Sequence, residues 1–364
     1  METDDEITPL GSGRPPAGPS GSSDDAKRKA HLQRILGGRR KAGATIPVSQ
    51  KREFTSLPWS DFFDEKRNFE IGEDVFNVYL KGSSGPIFYL LHGGGYAGLT
   101  WSCFAKELSS MIDCRIVAPD LRGHGSSHCV DEEDLSTDRQ VRDIINIFHK
   151  AVEEEEHSYY VMIGHSMGGA LAVHTAASNG IDANLLGLVV IDVVEGSAME
   201  ALGGMVHFLH TRPSTFPSEE QAIRWCLSSG SARNGPAARV SMPSQIRKVN
   251  DEEFTWRIDL TKTEEHWKGW FDNLSALFLS CTAPKLLALA GVDRLDKALT
   301  IGQMQGKFQT CVLPRVGHCV QEDSPDKLAE EVARFSVRLR FAEAKSGAMF
   351  LANSRLPGVP GHFM

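Results

Sequence analysis

The sequence predicts an α/β chain built on a mostly parallel central sheet with helices on both faces. Three observations predict it. Short apolar runs of strand length recur at Ile87 to Leu91, Arg115 to Ala118, Tyr159 to Ile163, Leu188 to Ile191, Leu286 to Leu289 and Cys311 to Leu313. Runs this apolar suit strands buried on both faces, as in a parallel sheet. Helical patterns separate them, and that alternation implies βαβ units with right-handed crossovers. Finally, Gly164-His165-Ser166-Met167-Gly168 lies between the run ending at Ile163 and a segment, Gly169 to Ala177, that reads as a helix. That strand–turn–helix context gives the motif its specificity.

The elements follow in order. Residues 1 to 50 are rich in Gly, Pro, Ser and charge, lack sustained apolar periodicity, and are expected to be a disordered tail. The basic clusters Lys27-Arg28-Lys29 and Arg39-Arg40-Lys41 lie within it and read as a solvated arm. Order is expected from near Trp59, in a main domain spanning 51–343. Asn77 to Leu80 reads as a short strand before a turn at Gly82 to Gly85. Cys103 to Met111 and Thr137 to Val152 carry clear helical patterns. Glu195 to Leu279 breaks the alternation, reads as helical, and carries Trp225, Trp256, Trp267 and Trp270; it is expected to form a cap over the site. Ser324-Pro325-Asp326 opens a last helix, with Ser at the N-cap and Pro at the first position. Residues 344–364 read as an irregular tail.

Composition narrows the function. The chain has 364 residues, is 41% hydrophobic and carries a net charge of -8, which disfavours a nucleic-acid surface. There are 7 cysteines, an odd number with no Cys-X-X-Cys pair, and no signal-like apolar N-terminus. The reading is reduced thiols in a cytoplasmic or nuclear protein with no membrane span. No metal-ligand spacing and no phosphate-binding loop is present, so neither metal nor cofactor is expected.

The chemistry is read from the elbow outward. In a sharp strand-to-helix turn the serine is lifted above the sheet, and glycines two positions away avoid collision. That is the nucleophile elbow of an α/β-hydrolase fold, with Ser166 as nucleophile. A serine hydroxyl needs a base, and the base needs an acid. His318, in the loop after the last strand-like run, is the base candidate; Gly317 is expected to let the chain turn beside it. Asp192 and Asp293 each follow a strand and satisfy the chain order, and the residues alone leave both open as the acid. The fold's commoner position favours Asp293. Oxyanion donors are expected at Met167 N–H and in His92-Gly93-Gly94-Gly95, at Gly94 or Gly95. Asp120 and His124 precede the nucleophile and read as structural, and His174 reads as a helix residue with a structural role.

Several further motifs are not general to the fold: Ile191-Asp192-Val193-Val194-Glu195-Gly196, Thr255-Trp256-Arg257-Ile258, Ala290 to Asp296, and Ile301 to Phe308. With the elbow and the His92 loop, they make residues 50 to 343 resemble the protein phosphatase methylesterases. The resemblance implies removal of a methyl ester from the C-terminal leucine of the type 2A phosphatase catalytic subunit, its substrate and partner. It implies Asp192 as the acid, and a triad aligned only when the phosphatase docks. One departure is visible: some members carry a long acidic insert before Thr-Trp-Arg-Ile, where this chain has only Gln245 to Glu253. Two other classes compete, a small-molecule carboxylesterase or lipase and a non-catalytic binding module of the same fold.

Overall fold

The protein is described from a computed structural model that covers residues 53–153, 158–178, 180–181, 184–291 and 295–347. The expected basic arm, Asp293 and most of the C-terminal tail lie outside these residues.

Eight strands form the central sheet: β1 (Glu65–Ile71), β2 (Asp74–Lys81), β3 (Ile87–Leu91), β4 (Arg115–Pro119), β5 (Tyr160–His165), β6 (Leu185–Ile191), β10 (Lys285–Leu289) and β11 (Gln309–Val312). Their order is β1-β2-β4-β3-β5-β6-β10-β11. Pairing is antiparallel between β1, β2 and β4 and parallel across the rest. Every residue of β3, β5 and β10 is buried, which is why these segments read as unbroken apolar runs rather than alternating ones. β1 is the sheet's exposed edge, and Glu65, Lys66, Arg67 and Glu70 charge it. Such charges discourage a further strand from pairing there.

The helices α1 (Ser102–Met111), α2 (Thr137–Ala151), α3 (Met167–Ala177) and α11 (Pro325–Arg338) lie where the periodicity placed them. Two apolar cores result, one on each face: Tyr89, Met162 and Leu287 lead one, and Phe88, Ile163 and Ala288 the other. The alternate residues of one strand thus serve opposite layers. Ser324 does precede α11, but its hydroxyl donates to Asp326 Oδ1 at 3.3 Å and caps no backbone N–H. Ala344 bridges Ile112, and Lys345 N–H donates to Met111 O at 2.9 Å, so the first residues of the expected irregular tail add to the sheet-side packing.

The stretch after β6 differs from its all-helical expectation. It holds α4 (Glu195–Thr211), α5 (Glu219–Ser229), α6 (Gly235–Ser241), α7 (Glu264–Phe271) and α8 (Leu274–Ser280). It also holds a three-stranded antiparallel sheet of β7 (Thr215–Phe216), β8 (Ile246–Asn250) and β9 (Glu253–Trp256). β8 and β9 form an antiparallel hairpin. Arg257, just past β9, ties this unit to the loop after β4 by a bidentate pair with Glu132, 2.7 and 2.8 Å, and by donating to Gly125 O and Ser127 O.

Beneath that loop, the Arg122 side chain is fully buried. It donates to Asp143 at 2.7 and 3.0 Å, to Asp74 at 2.5 Å and to Asp131 O at 3.0 Å. Removing one partner of a buried pair strands the others' charge. Arg122→Ala is therefore expected to lower unfolding free energy by about 3–5 kcal/mol in urea titrations at neutral pH. A loss under about 1 kcal/mol, the range of a surface pair, would contradict this.

Candidate active site

Ser166 sits between β5 and α3 with φ 54 and ψ -121, a strained conformation for a residue with a side chain. The surroundings impose it. A Cβ on Gly164 would lie 2.1 Å from Gly168 O, and one on Gly168 would lie 2.3 Å from Leu91 O and 2.4 Å from His92 O. Only hydrogen fits at either position, so the elbow packs directly against the end of β3. Ser166 N–H donates to Ile191 O at 3.0 Å, which fixes the turn to β6. Met167 opens α3, and the N–H groups of a helix's first turn have no intrahelical acceptor.

Asp192 follows β6 directly, also at positive φ, 50. The β6–β10 register pairs Ile191 with Ala288, and Asp192 N–H donates to Ala288 O at 2.8 Å. Its Oδ1 accepts from Ala290 N–H at 3.0 Å, and its Oδ2 accepts from His318 Nδ1 at 2.9 Å. The Asp192 side chain is fully buried and that of His318 only slightly exposed. The structure thus brings His318 to Asp192, while Asp293 lies outside the described residues.

The loop that carries His318 is pinned from below. Gly317 N–H donates to Asp323 Oδ2 at 2.5 Å, and Arg233 donates its N–H to Asp323 Oδ1 at 2.7 Å and its Nη1 to Arg315 O at 2.7 Å. The turn residue is Arg315, φ 65. Gly317 is not the residue at positive φ; a Cβ there would meet Asp323 Oδ2 at 2.9 Å, so close approach explains the glycine. His165, inside the elbow, adds a link that the motif alone does not suggest. Its Nε2 donates to His318 O at 2.9 Å, and the two rings lie 4.6 Å apart. Burial and the neighbouring His318 and His92 hold it well below the usual histidine range, hence neutral. His318 bonds to Asp192 through its ring and accepts from His165 and Val320 through its carbonyl. No hydrogen bond joins its ring to Ser166 among the described residues.

Two more neutral histidines set the glycine loop. His92 Nδ1 donates to Gly93 O at 2.8 Å, and its Nε2 accepts from Leu121 N–H at 2.9 Å. His124 Nδ1 donates to Arg122 O at 2.7 Å, and its Nε2 accepts from Gly95 N–H at 2.9 Å. Burial pushes His124 down to about 4, which keeps that acceptor available. Gly95 therefore departs from expectation: its N–H is already donated to His124 and is not free for an oxyanion. Asp120 has the structural role expected of it, accepting from Asn77, Gly98 and Ser126 at 2.7–2.8 Å. His174 Nε2 lies 3.0 Å from Trp270 O and links α3 to α7.

Ser166, Met167, Gly94 and His318 line one cavity of about 130 Å³. Its walls are largely apolar: Leu202, Met205 and Phe208 from α4, with Trp225, Trp256, Trp267 and Trp270. All four tryptophans in the stretch after β6 thus line it. An outer cleft of about 620 Å³, lined by polar residues, shares Leu209, Arg212, Trp256 and Leu260 with it.

Glu322, on the short helix α10 (Val320–Asp323), also borders the cavity. It is buried and accepts from the Thr100 hydroxyl at 2.6 Å. Burial pushes its carboxyl up to about 7, against the pull of its Thr100 hydrogen bond. The folded state then holds a proton that the unfolded chain has released, so stability falls as pH rises from about 4.5 to about 7. The fall is on the order of 3 kcal/mol. Denaturation at pH 5 and pH 8 should show Glu322→Gln losing about 3 kcal/mol less than the wild type across that interval; identical losses would contradict this account.

Comparison with known proteins agrees with this architecture. The alpha/beta hydrolase family model matches residues 88–331. A probable protein phosphatase methylesterase 1 of Caenorhabditis elegans is 66% identical over 306 residues, covering 84% of each chain. Protein phosphatase methylesterase 1 of Mus musculus is 47% identical over 344 residues, covering 82% of this chain and 89% of that protein. Among solved structures, E-2-(acetamidomethylene)succinate hydrolase shares the fold with a TM-score of 0.61 at 21% identity, covering 74% of this chain and 98% of that one. No helix among the described residues is long and apolar enough to cross a membrane. The chain is thus a carboxylic-ester hydrolase of the alpha/beta hydrolase family and belongs, within it, to the protein phosphatase methylesterases.

Proposed function

We propose that the chain removes the methyl ester from the C-terminal leucine of the type 2A protein phosphatase catalytic subunit, through a serine acyl-enzyme. The observation that carries this reading is the paired cavity. An apolar, aromatic-walled pocket holding Ser166 and His318 suits a leucine side chain and its ester, and the polar outer cleft suits the peptide before it. The relatives' name, protein phosphatase methylesterase, supports the same substrate class.

In this mechanism His318 Nε2 takes the Ser166 proton as Oγ attacks the ester carbonyl. Asp192 holds the Nδ1 proton and stabilises the imidazolium. Met167 N–H and Gly94 N–H receive the oxyanion, each donor lowering the barrier by on the order of 3 kcal/mol. His318 returns the proton to methanol. Water then attacks the acyl-enzyme, and the free carboxylate leaves. Since Ser166 and His318 share a cavity but, among the described residues, no hydrogen bond, their alignment on docking of the phosphatase fits the geometry. Residues 195–279 act as a cap on a hydrolase domain spanning 51–343 between two tails, and the enzyme works in cytoplasm or nucleus.

A methylesterase for a protein tail should favour the methylated catalytic subunit over p-nitrophenyl acetate by at least about a hundredfold in kcat/KM, a difference of about 2.7 kcal/mol. The reverse preference would point to a small-molecule esterase. Absence of turnover on either would point to a binding module.

A further inference from the structure

Arg212 ends α4, with its N–H donated to Leu209 O at 3.2 Å, and it lines both the Ser166 cavity and the outer cleft. Its guanidinium stacks 3.8 Å from the Trp256 ring centroid. Trp256 is itself fixed. Its indole N–H donates to Pro213 O at 2.7 Å, and its ring meets Phe216 and Trp225 edge-on, each at 5.4 Å. The cation is therefore held in place by aromatic packing and not by a counter-ion.

Of the other cations of the cleft, Arg257 is paired with Glu132 and Lys262 with Glu133, the latter at 2.7 Å, while Arg247 is exposed to solvent. Arg212 pairs with no carboxylate among the described residues, and its Nε is buried without a hydrogen-bond partner. Burial pushes the guanidinium down to about 10; Tyr96 and Asp259 offset this only through space. The residue as a whole is half-buried, yet holding an unpaired cation even partly away from water is costly, and its planar fork matches a carboxylate in two parallel bonds. A ligand carboxylate is the group that would complete the site.

We propose that Arg212 is a specificity-determining residue that pairs with an acidic side chain in the substrate's tail, upstream of the esterified leucine. The reacting carbonyl must lie at Ser166, between Met167 and the His92–Gly95 loop. Arg212 stands where cavity and cleft join, so it meets the chain that leads into the pocket. This rests on the reading above that the substrate is a peptide C-terminus.

The test uses hexapeptide leucine methyl esters of otherwise neutral sequence, with one Glu, or Gln in its place, walked through the positions before leucine. Binding to the full-length Ser166→Ala chain is read by fluorescence anisotropy. At one position Glu should bind about tenfold more tightly than Gln. Adding Arg212→Gln should bring that ratio to about one, and Arg212→Lys should keep part of it, since a point charge survives without the fork. A ratio near one at every position in the Arg212 chain, or a preference that survives Arg212→Gln, would overturn the assignment. Methyl release from the methylated catalytic subunit is read in parallel with the Ser166 enzyme. Release without any Glu preference sinks the Arg212 proposal alone, whereas no release sinks the substrate reading.

Discussion

Ser166→Ala is expected to lower methyl release by about a millionfold, the scale seen when a serine nucleophile is removed from an intact triad. The elbow supplies the reason. Its strained φ of 54 and the two close backbone approaches at Gly164 and Gly168 place one hydroxyl at the cavity floor. Alanine keeps that backbone and the cavity walls, so methyl-ester peptides should still bind. A fluorophosphonate probe should label the wild type at Ser166 and leave the variant unlabelled. Labelling at another serine, or methyl release within tenfold of the wild type, would remove Ser166 from its role.

Asp192→Asn is expected to cost about 10⁴ in kcat, with thermal stability close to that of the wild type. Both carboxylate oxygens are engaged, Oδ1 by Ala290 N–H and Oδ2 by His318 Nδ1. An asparagine would keep its carbonyl on Ala290 and turn its NH₂ to the imidazole. Nδ1 would then become the acceptor and Nε2 would carry the proton, so the ring could not take one from Ser166. The pH profile of kcat should lose the limb that reports the base. Retained activity in Asp192→Asn with loss in Asp293→Asn would reverse the choice of acid.

Much of this was legible in the sequence because it rests on local rules. Most positions of the buried strands are apolar, and the elbow needs glycine at 164 and 168, where another backbone comes close. Other features were not, because they depend on which distant segments meet. β1 is mostly exposed and charged, so it gives no apolar run. β7 to β9 are short, and of their residues only Phe216 and Ile246 are buried, so their pairing follows from how distant segments meet and not from their local pattern. Gly94 and Gly95 look equivalent until His124, some thirty residues on, folds beneath the loop and accepts from one of them. The two aspartates look equivalent as well; contact with His318 is tertiary. Arg212 carries no motif at all, and its unpaired state is visible only once its neighbours are in place.

Demethylation of the type 2A phosphatase tail by Ser166, as proposed above, is open to direct test. The most direct measurement is release of labelled methanol from the methylated catalytic subunit by the full chain, with Ser166→Ala alongside. The wild type should release the methyl group stoichiometrically, and the variant should release none above background. Complete retention of the methyl label by the wild-type chain, or equal release by Ser166→Ala, would contradict it.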